Sequence, residues 1–410
     1  MKERPIDTYV SSVQALWPGT SEPRLRRSRG SGRSPGAGET EMAVLPHARA
    51  PRLLVPMGNP TAAARAMLRF SAALSTPDTV MRLGVSGLLR ARAGAAFPDR
   101  ITVSERAGSL RGYLGDVFGE PVDFSLGLGT ARANRKPVLQ VFDARGRSIA
   151  FVKIGGAEVT EALVRAEAAS LLRLAEADLP RELEVPRLLH IGTWEEATVV
   201  VMTALETSFL QRPRRQFDVP VNEMRRFHAA FGEGFRPLTE SSMWDQMVTA
   251  QESLAYSPVR EQLSEALEQL RRAAEDRPLP LGAWHGDWTP WNMSRRRGRL
   301  QLWDWERFET SVPLGLDRCH YGVNAITHRD GFDIDTVLRG LELAGVTVDA
   351  PGEDNLAAAA YLAAITCRYL LGAESDFGET IADRSRVMLE TLCQWLGLPL
   401  EMRHGNPRAR

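Results

Sequence analysis

The sequence predicts an α+β protein of two lobes: a small antiparallel sheet lobe, then a larger helical lobe, with a mainly helical N-terminal extension in front. Three observations lead there. Residues 121–205 carry short β-branched and apolar runs separated by turn residues, the pattern of paired hairpins. Beyond 206 the apolar residues recur at helical spacing, as at Leu263, Leu267 and Leu270. Between those helical stretches lies a loop with turn chemistry, His285-Gly-Asp-Trp-Thr-Pro-Trp-Asn292.

At 410 residues the chain is long enough for two or three domains, each with its own core. Lys plus Arg number 51 and so do Asp plus Glu, so no global field favours nucleic acid. No run of eighteen apolar residues is evident, and Met-Lys-Glu-Arg-Pro lacks a signal-peptide core. The expectation is a cytoplasmic protein with no integral membrane segment. Cys319, Cys367 and Cys393 stand in apolar stretches at no metal-ligand spacing and read as buried thiols in a reducing compartment. Lysine is confined to Lys2, Lys136 and Lys153. A lysine that persists against such a bias inside an apolar strand carries extra weight.

In chain order, 1–42 reads as a largely disordered segment, with 18–42 rich in Gly, Ser, Pro and Arg and without apolar period. Residues 43–119 form the extension, with a strand at 52–56 and helices over 61–74, 79–92 and 109–118. Between 51 and 92 six arginines face Asp78 alone, interleaved with Met67, Leu68, Phe70, Leu83, Leu88 and Leu89. That composition suits either a face docking on a membrane surface or partner, or a helical module packed on the core.

Residues 120–205 supply the sheet lobe. Val122–Thr130 is a strand running into Gly127 and Gly129, and 138–143 with 149–154 makes a hairpin. Glycines there let backbone N–H groups approach phosphate oxygens with no Cβ in the way, although Gly-x-Gly in a hairpin is also a plain turn. Lys153 sits on the second hairpin strand. Glu167 lies fourteen residues on, inside a helix over 159–176, where Glu158 and Glu161 compete to pair with the lysine. Strands at 188–194 and 197–202 then lead out through Thr203-Ala-Leu205.

In the helical lobe, 206–410, the informative stretch is 281–306. Asn292 follows Asp287 by five residues, and Asp304 follows after a basic turn between two short strands. That hairpin should return Asp304 to Asn292 and Asp287. Two carboxylates and a carboxamide, all hard oxygen donors, suit Mg2+. Phosphoryl transfer uses such a set: an Asn and an Asp on the metal, and a further carboxylate for the attacking hydroxyl. A di-acid hydrolase with His285, Asp287 and Asp304 as metal ligands is the chemical rival.

On these residues the sequence resembles the aminoglycoside phosphotransferase and choline kinase family, whose signature is His-Gly-Asp-x4-Asn followed by Asp-Trp-Glu or similar. The likeness covers about 120–400 and is concentrated at 282–320. It implies a protein-kinase-like fold and an ATP- and Mg2+-dependent small-molecule kinase, with ATP in the cleft between lobes. By resemblance Asp287 is the catalytic base, Asn292 and Asp304 the metal ligands, and Lys153 with Glu167 the phosphate-positioning pair. Gly127 and Gly129 would approach phosphates. Thr203 and Leu205 would form a hinge against adenine, with Met202 behind it, although Met202 is equally a core methionine. His285 would brace the loop, and Asp317 resembles a buried Asp that holds the loop backbone. Glu306 stays open between a metal-bound water and solvent. The extension has no counterpart in the family. The acceptor is expected to be a small-molecule hydroxyl, and a catalytically silent nucleotide sensor is the alternative.

Overall fold

The computed structural model describes residues 16, 24–27, 38–49, 51–69, 76–93, 96–105, 108–128, 136–207, 218–275, 277–346, 353–374 and 379–399. The chain divides into two compact units, Met1–Leu172 with Pro186–Arg212, and Arg173–Val185 with Pro213–Arg410.

The first unit is built on a wholly antiparallel nine-stranded sheet. Its strands are β1 (Arg24–Arg27), β2 (Glu39–Leu45), β3 (Leu53–Pro56), β4 (Asp99–Ser104), β5 (Asp123–Gly127), β6 (Val138–Phe142), β7 (Ser148–Gly155), β9 (Leu188–Trp194) and β10 (Ala197–Thr203). Their order is β1-β4-β2-β3-β5-β6-β7-β10-β9. Asp143 shapes the β6–β7 turn by accepting the Arg145 and Arg147 N–H groups. Among the described residues four helices accompany the sheet: α1 (Pro60–Met67), α2 (Thr76–Arg90), α3 (Leu110–Phe118) and α4 (Glu158–Glu176).

Strand periodicity gives the sheet two different faces. Leu126, Leu139, Val141, Ala150, Val152 and Val201 point to one face and pack with Leu110 and Leu114 of α3. Val55, Phe142 and Leu45 point to the other and pack with the alanines of α1. Phe151 and Lys153 alternate with Ala150 and Val152, so they belong to the α1 face.

Here the N-terminal expectation is corrected. The stretch 1–42, expected to be largely disordered, contains β1 and the start of β2, and the extension contributes, besides its expected helices and the expected strand β3, the end of β2 and the whole of β4. All four join the same sheet as β5, β6, β7, β9 and β10, within one compact unit. The physical reason is that an edge strand such as β1 is held by backbone pairing to β4, from Arg24 opposite Thr102 to Arg27 opposite Asp99, and needs no apolar period. In β2 the alternation is real but short: Met42 and Val44 go to one face and Ala43 and Leu45 to the other. The expected helical residues 70–74 lie outside the described residues.

The second unit is mostly helical: α5 (Val221–Ala229), α6 (Ser242–Ser253), α7 (Ser257–Ala274), α8 (Leu316–Asp330), α9 (Ile334–Leu343), α10 (Glu353–Ala373) and α11 (Glu379–Trp395). Two three-stranded sheets carry its loops. One pairs β11 (Gly234–Arg236), β12 (Leu279–Trp284) and β15 (Glu309–Pro313). The other pairs β13 (Met293–Arg296) and β14 (Arg299–Leu302) with β8 (Leu183–Glu184). Leu263, Leu267 and Leu270 enter the core, as their spacing predicts, along with all three cysteines. Burial pushes the thiols of Cys367 and Cys393 up, to about 12 and about 11. Helix α10 contains Asn355–Ala373, long and apolar enough by length and composition to cross a membrane, yet 67% of that window is buried and its side chains fill the core.

Helices α8 and α9 meet glycine to glycine. A Cβ on Gly322 would collide with the Gly340 carbonyl, and one on Gly340 with the Val323 backbone. A Gly322→Ala variant should therefore force the helices apart and cost about 1–3 kcal/mol, read as a lower midpoint in urea unfolding. An unchanged midpoint would show that the crossing is not tight.

Candidate active site

In the sheet unit Lys153 lies on β7 opposite Val138 of β6 and Val200 of β10. Its Nζ stands 2.6 Å from Oε2 of Glu167, whose side chain is fully buried in α4. The competition among glutamates is thereby decided. Glu161 accepts from Arg165 and from the Thr198 hydroxyl instead, and Glu158 is exposed. Taking the charged pair out of water has a cost that only close geometry offsets, so a pair this buried is held for its position.

Gly127 shares the register row of Lys153, through Val138. A Cβ there would lie 3.3 Å from an Arg69 guanidinium nitrogen, and the Arg69 Cζ is 4.9 Å from the Phe151 ring centroid. Arg69 of the extension thus covers the same face as Lys153, a placement the sequence reading missed. Gly129 lies outside the described residues. Met202 is buried opposite Phe151. Thr203 donates its N–H to the Arg187 carbonyl and accepts the Arg187 N–H on Oγ1. Ala204 donates to Ile149, and the Leu205 carbonyl accepts from Thr207. The N–H and hydroxyl oxygen of Thr203 are thus both engaged with Arg187.

In the helical unit the loop between β12 and β13 is fixed before any functional side chain is placed. Asp317, in the first turn of α8, accepts the His285 N–H at 2.7 Å and the Gly286 N–H at 3.2 Å. Gly286 has φ 76°, and a Cβ there would strike the Arg307 carbonyl, so glycine is required twice over. Arg368 of α10 donates to the Gly286 carbonyl at 2.8 Å. His285 accepts the Asp287 N–H on Nδ1 and donates from Nε2 to the Trp303 carbonyl. That defines its tautomer and makes it a brace.

Asn292 donates from Nδ2 to both the carbonyl and Oδ2 of Asp287, at 3.0 and 2.8 Å. Both neighbours are acceptors only, so the amide orientation is settled and Oδ1 turns away from Asp287. The β13–β14 hairpin turns through Arg297 and Gly298, both at positive φ, the two-residue turn that suits strand twist. It returns the chain so that Trp303 donates to the Asn292 carbonyl at 3.1 Å, directly before Asp304. Asp304 has φ 76°, an uncommon backbone for a non-glycine residue and a feature that gathers at functional sites. It is pinned by Trp305, which is fully buried, bonds the Leu302 carbonyl and meets the His285 ring at 4.4 Å. Asp287 and Asp304 both act electrostatically on His285 and on Arg307.

Sequence reasoning missed His320. It lies on α8 one turn after Asp317, is buried, and its Nε2 stands 3.0 Å from Asp287 Oδ1. The spacing from Asp317 was the available signal. Arg368 was also legible, as the lone charge in the apolar stretch 355–373 of α10.

No family model matches the chain, and no curated protein matches it. Solved structures are similar to it. A thermostable mutant of aminoglycoside phosphotransferase APH(4)-Ia, bound to ADP and hygromycin B, is 15% identical over 70% of this chain and 98% of its own, with TM-score 0.47. The amicoumacin kinase in complex with AMP-PNP, Ca2+ and its ligand is 11% identical over 67% and 88%, with TM-score 0.43. A putative fructosamine-3-kinase from Haemophilus somnus is 13% identical over 69% and 96%, with TM-score 0.41. The structures it resembles are protein-kinase-like small-molecule kinases. The functional reading rests on the geometry of the two units.

Burial acts on the two braces in opposite directions. It lowers His285 from 6.5 to about 4 and raises Asp317 from 3.8 to about 7, against the pull of its two backbone N–H bonds. The stability that neutral His285 lends above pH 6.5 is lost as pH falls toward 4; that lent by Asp317 below pH 3.8 is lost as pH rises through 7. The two slopes oppose in wild type. Asp317→Asn removes one, so between pH 7 and pH 4 the variant should lose roughly 3–4 kcal/mol more than wild type in urea unfolding. Parallel pH profiles would refute the opposed-brace account.

Proposed function

We propose that the chain is an ATP- and Mg2+-dependent phosphotransferase that moves a γ-phosphoryl group to a hydroxyl of a small molecule. The carrying observation is Asp287, a carboxylate held at both oxygens, Oδ2 by Asn292 and Oδ1 by His320. A carboxylate so fixed orients a hydroxyl and takes its proton late in a loose transition state.

The donor set fits a hard cation: Asn292 turns its Oδ1 away from Asp287, and Asp304 adds a carboxylate. When bound there, Mg2+ neutralises charge on the phosphate oxygens. Asp287 receives the acceptor proton as the acceptor oxygen bonds to the γ-phosphorus and the bond from that phosphorus to the β-bridging oxygen breaks, releasing ADP. Lys153, oriented by Glu167, neutralises the non-transferred phosphates, and Gly127 admits them to the strand. Phe151 and Met202, with the Thr203 carbonyl and Leu205, form the adenine surface. Positioning and fixed charge supply most of the rate. The segments 206–245 and 310–335 mix Arg with Asp and Glu, where a polycationic antibiotic would ask for acid, so a sugar or other neutral metabolite hydroxyl is the favoured acceptor.

Purified protein should consume ATP in response to one member of a panel of sugars, amino alcohols, aminoglycosides and macrolides. Asp304→Ala should abolish that response. Asp287→Asn should lower turnover about 10²–10⁴-fold while keeping the thermal shift caused by Mg-ATP. Unchanged turnover in Asp287→Asn would remove the base assignment. A thermal shift with no turnover on any acceptor would favour a nucleotide sensor.

A further inference from the structure

We infer that His320 is a positioning residue for Asp287, setting the direction in which the carboxylate meets the acceptor hydroxyl; this rests on the phosphotransferase reading above. The Asp287 side chain is 36% exposed, open enough to swing if nothing held it, whereas that of His320 is 6% exposed. Asn292, from the loop itself, fixes one oxygen of the carboxylate, and His320, from α8, fixes the other. One donor alone would leave the carboxylate free to rotate about that contact. Two donors from separate elements set its plane.

The ring of His320 is itself buried and packed against two aromatic rings. The edge contacts it makes with Trp284 and Tyr361 have centroids 6.5 and 5.9 Å apart and planes at 82° and 75°. It rides on the same helical turn as Asp317, which anchors His285 and Gly286. Backbone and carboxylate of the loop are therefore referenced to one rigid element, α8. The other ring nitrogen, Nδ1, is buried with no hydrogen-bond partner among the described residues. Nε2 therefore carries the hydrogen that Asp287 Oδ1 accepts. A histidine kept only to fill space would leave a buried nitrogen bare for no return, while an apolar side chain would pack there without that loss. The bare nitrogen marks a ring retained for its Nε2–H.

Glutamine can place an amide N–H near the position of the histidine Nε2–H, and phenylalanine fills the volume without a donor. The full chain would be assayed with Mg-ATP alone, water serving as acceptor, together with Mg-ADP affinity by calorimetry and the thermal midpoint. His320→Phe should lower turnover about 10- to 100-fold while Mg-ADP affinity and midpoint stay near wild type. His320→Gln should recover turnover to within about threefold. Equal loss in both variants with intact midpoints, or no loss in His320→Phe, overturns the inference. A second arm needs no turnover: in 15N-histidine-labelled protein the His320 Nε2 signal, identified by its absence in His320→Gln, should move in Asp287→Asn. An unmoved signal also overturns it. If Asp287→Asn leaves hydrolysis unchanged, the base assignment fails instead; if wild type neither hydrolyses ATP nor phosphorylates any member of the acceptor panel, the phosphotransferase reading fails. In both cases the spectroscopic arm alone decides whether His320 holds Asp287.

Discussion

The helical unit depends on one buried carboxylate. Asp317 accepts two consecutive backbone N–H groups from the loop that begins at His285, and no other group among those described reaches both. Backbone donors buried without partners are costly, and a loop of non-repeating geometry cannot satisfy them through a ladder. An acceptor from outside must do so, and it must be rigid. Asp317 is rigid because α8 packs glycine to glycine against α9. Everything downstream inherits that rigidity: the positive φ of Gly286, the brace of His285, the plane of Asp287 and the return of the hairpin to Asn292.

The contrast between the two histidines shows how burial is used. His285 is held neutral by its surroundings and has both ring nitrogens occupied, one as acceptor and one as donor. It can take no part in proton transfer without breaking the loop. His320 has one nitrogen on Asp287 and one with no partner among the described residues. The motif histidine thus serves the backbone, and a histidine outside the motif serves the carboxylate.

Much of this was legible in the sequence, and the parts that were not have physical causes. Local signals carried far: the turn residues of 285–292 gave a loop, the spacing to Asp304 gave a hairpin return, and a lone lysine in an apolar strand gave the ion pair. The choice of Glu167 over Glu158 and Glu161 came from resemblance, because periodicity cannot tell which turn of a helix faces the strand before it. Asp317 was legible as a helix-start residue, but its bidentate contact to the loop depends on how α8 docks. The strands β1 and β2 were illegible for a different reason. Edge strands and half-covered strands are stabilised by pairing with distant segments, and a Gly-, Ser- and Arg-rich stretch carries no local mark of that pairing.

The N-terminal strands change what the extension is. A separate module would have its own core, yet α1 packs on the face of the sheet that bears Lys153, and β2, β3 and β4 share strand pairing with it. The register fixes the consequence. Leu53 of β3 stands opposite Gly127, Gly127 opposite Val138, and Val138 opposite Lys153, so one row of the sheet runs from the extension to the lysine. Arg69 leaves the end of α1 onto that row, over Phe151 and against Gly127. Any ligand lying along the Lys153 face therefore meets a surface built partly from residues 53–69. Removing the extension would strip one edge of β5 and uncover Phe142, so it cannot be treated as a detachable accessory to the sheet.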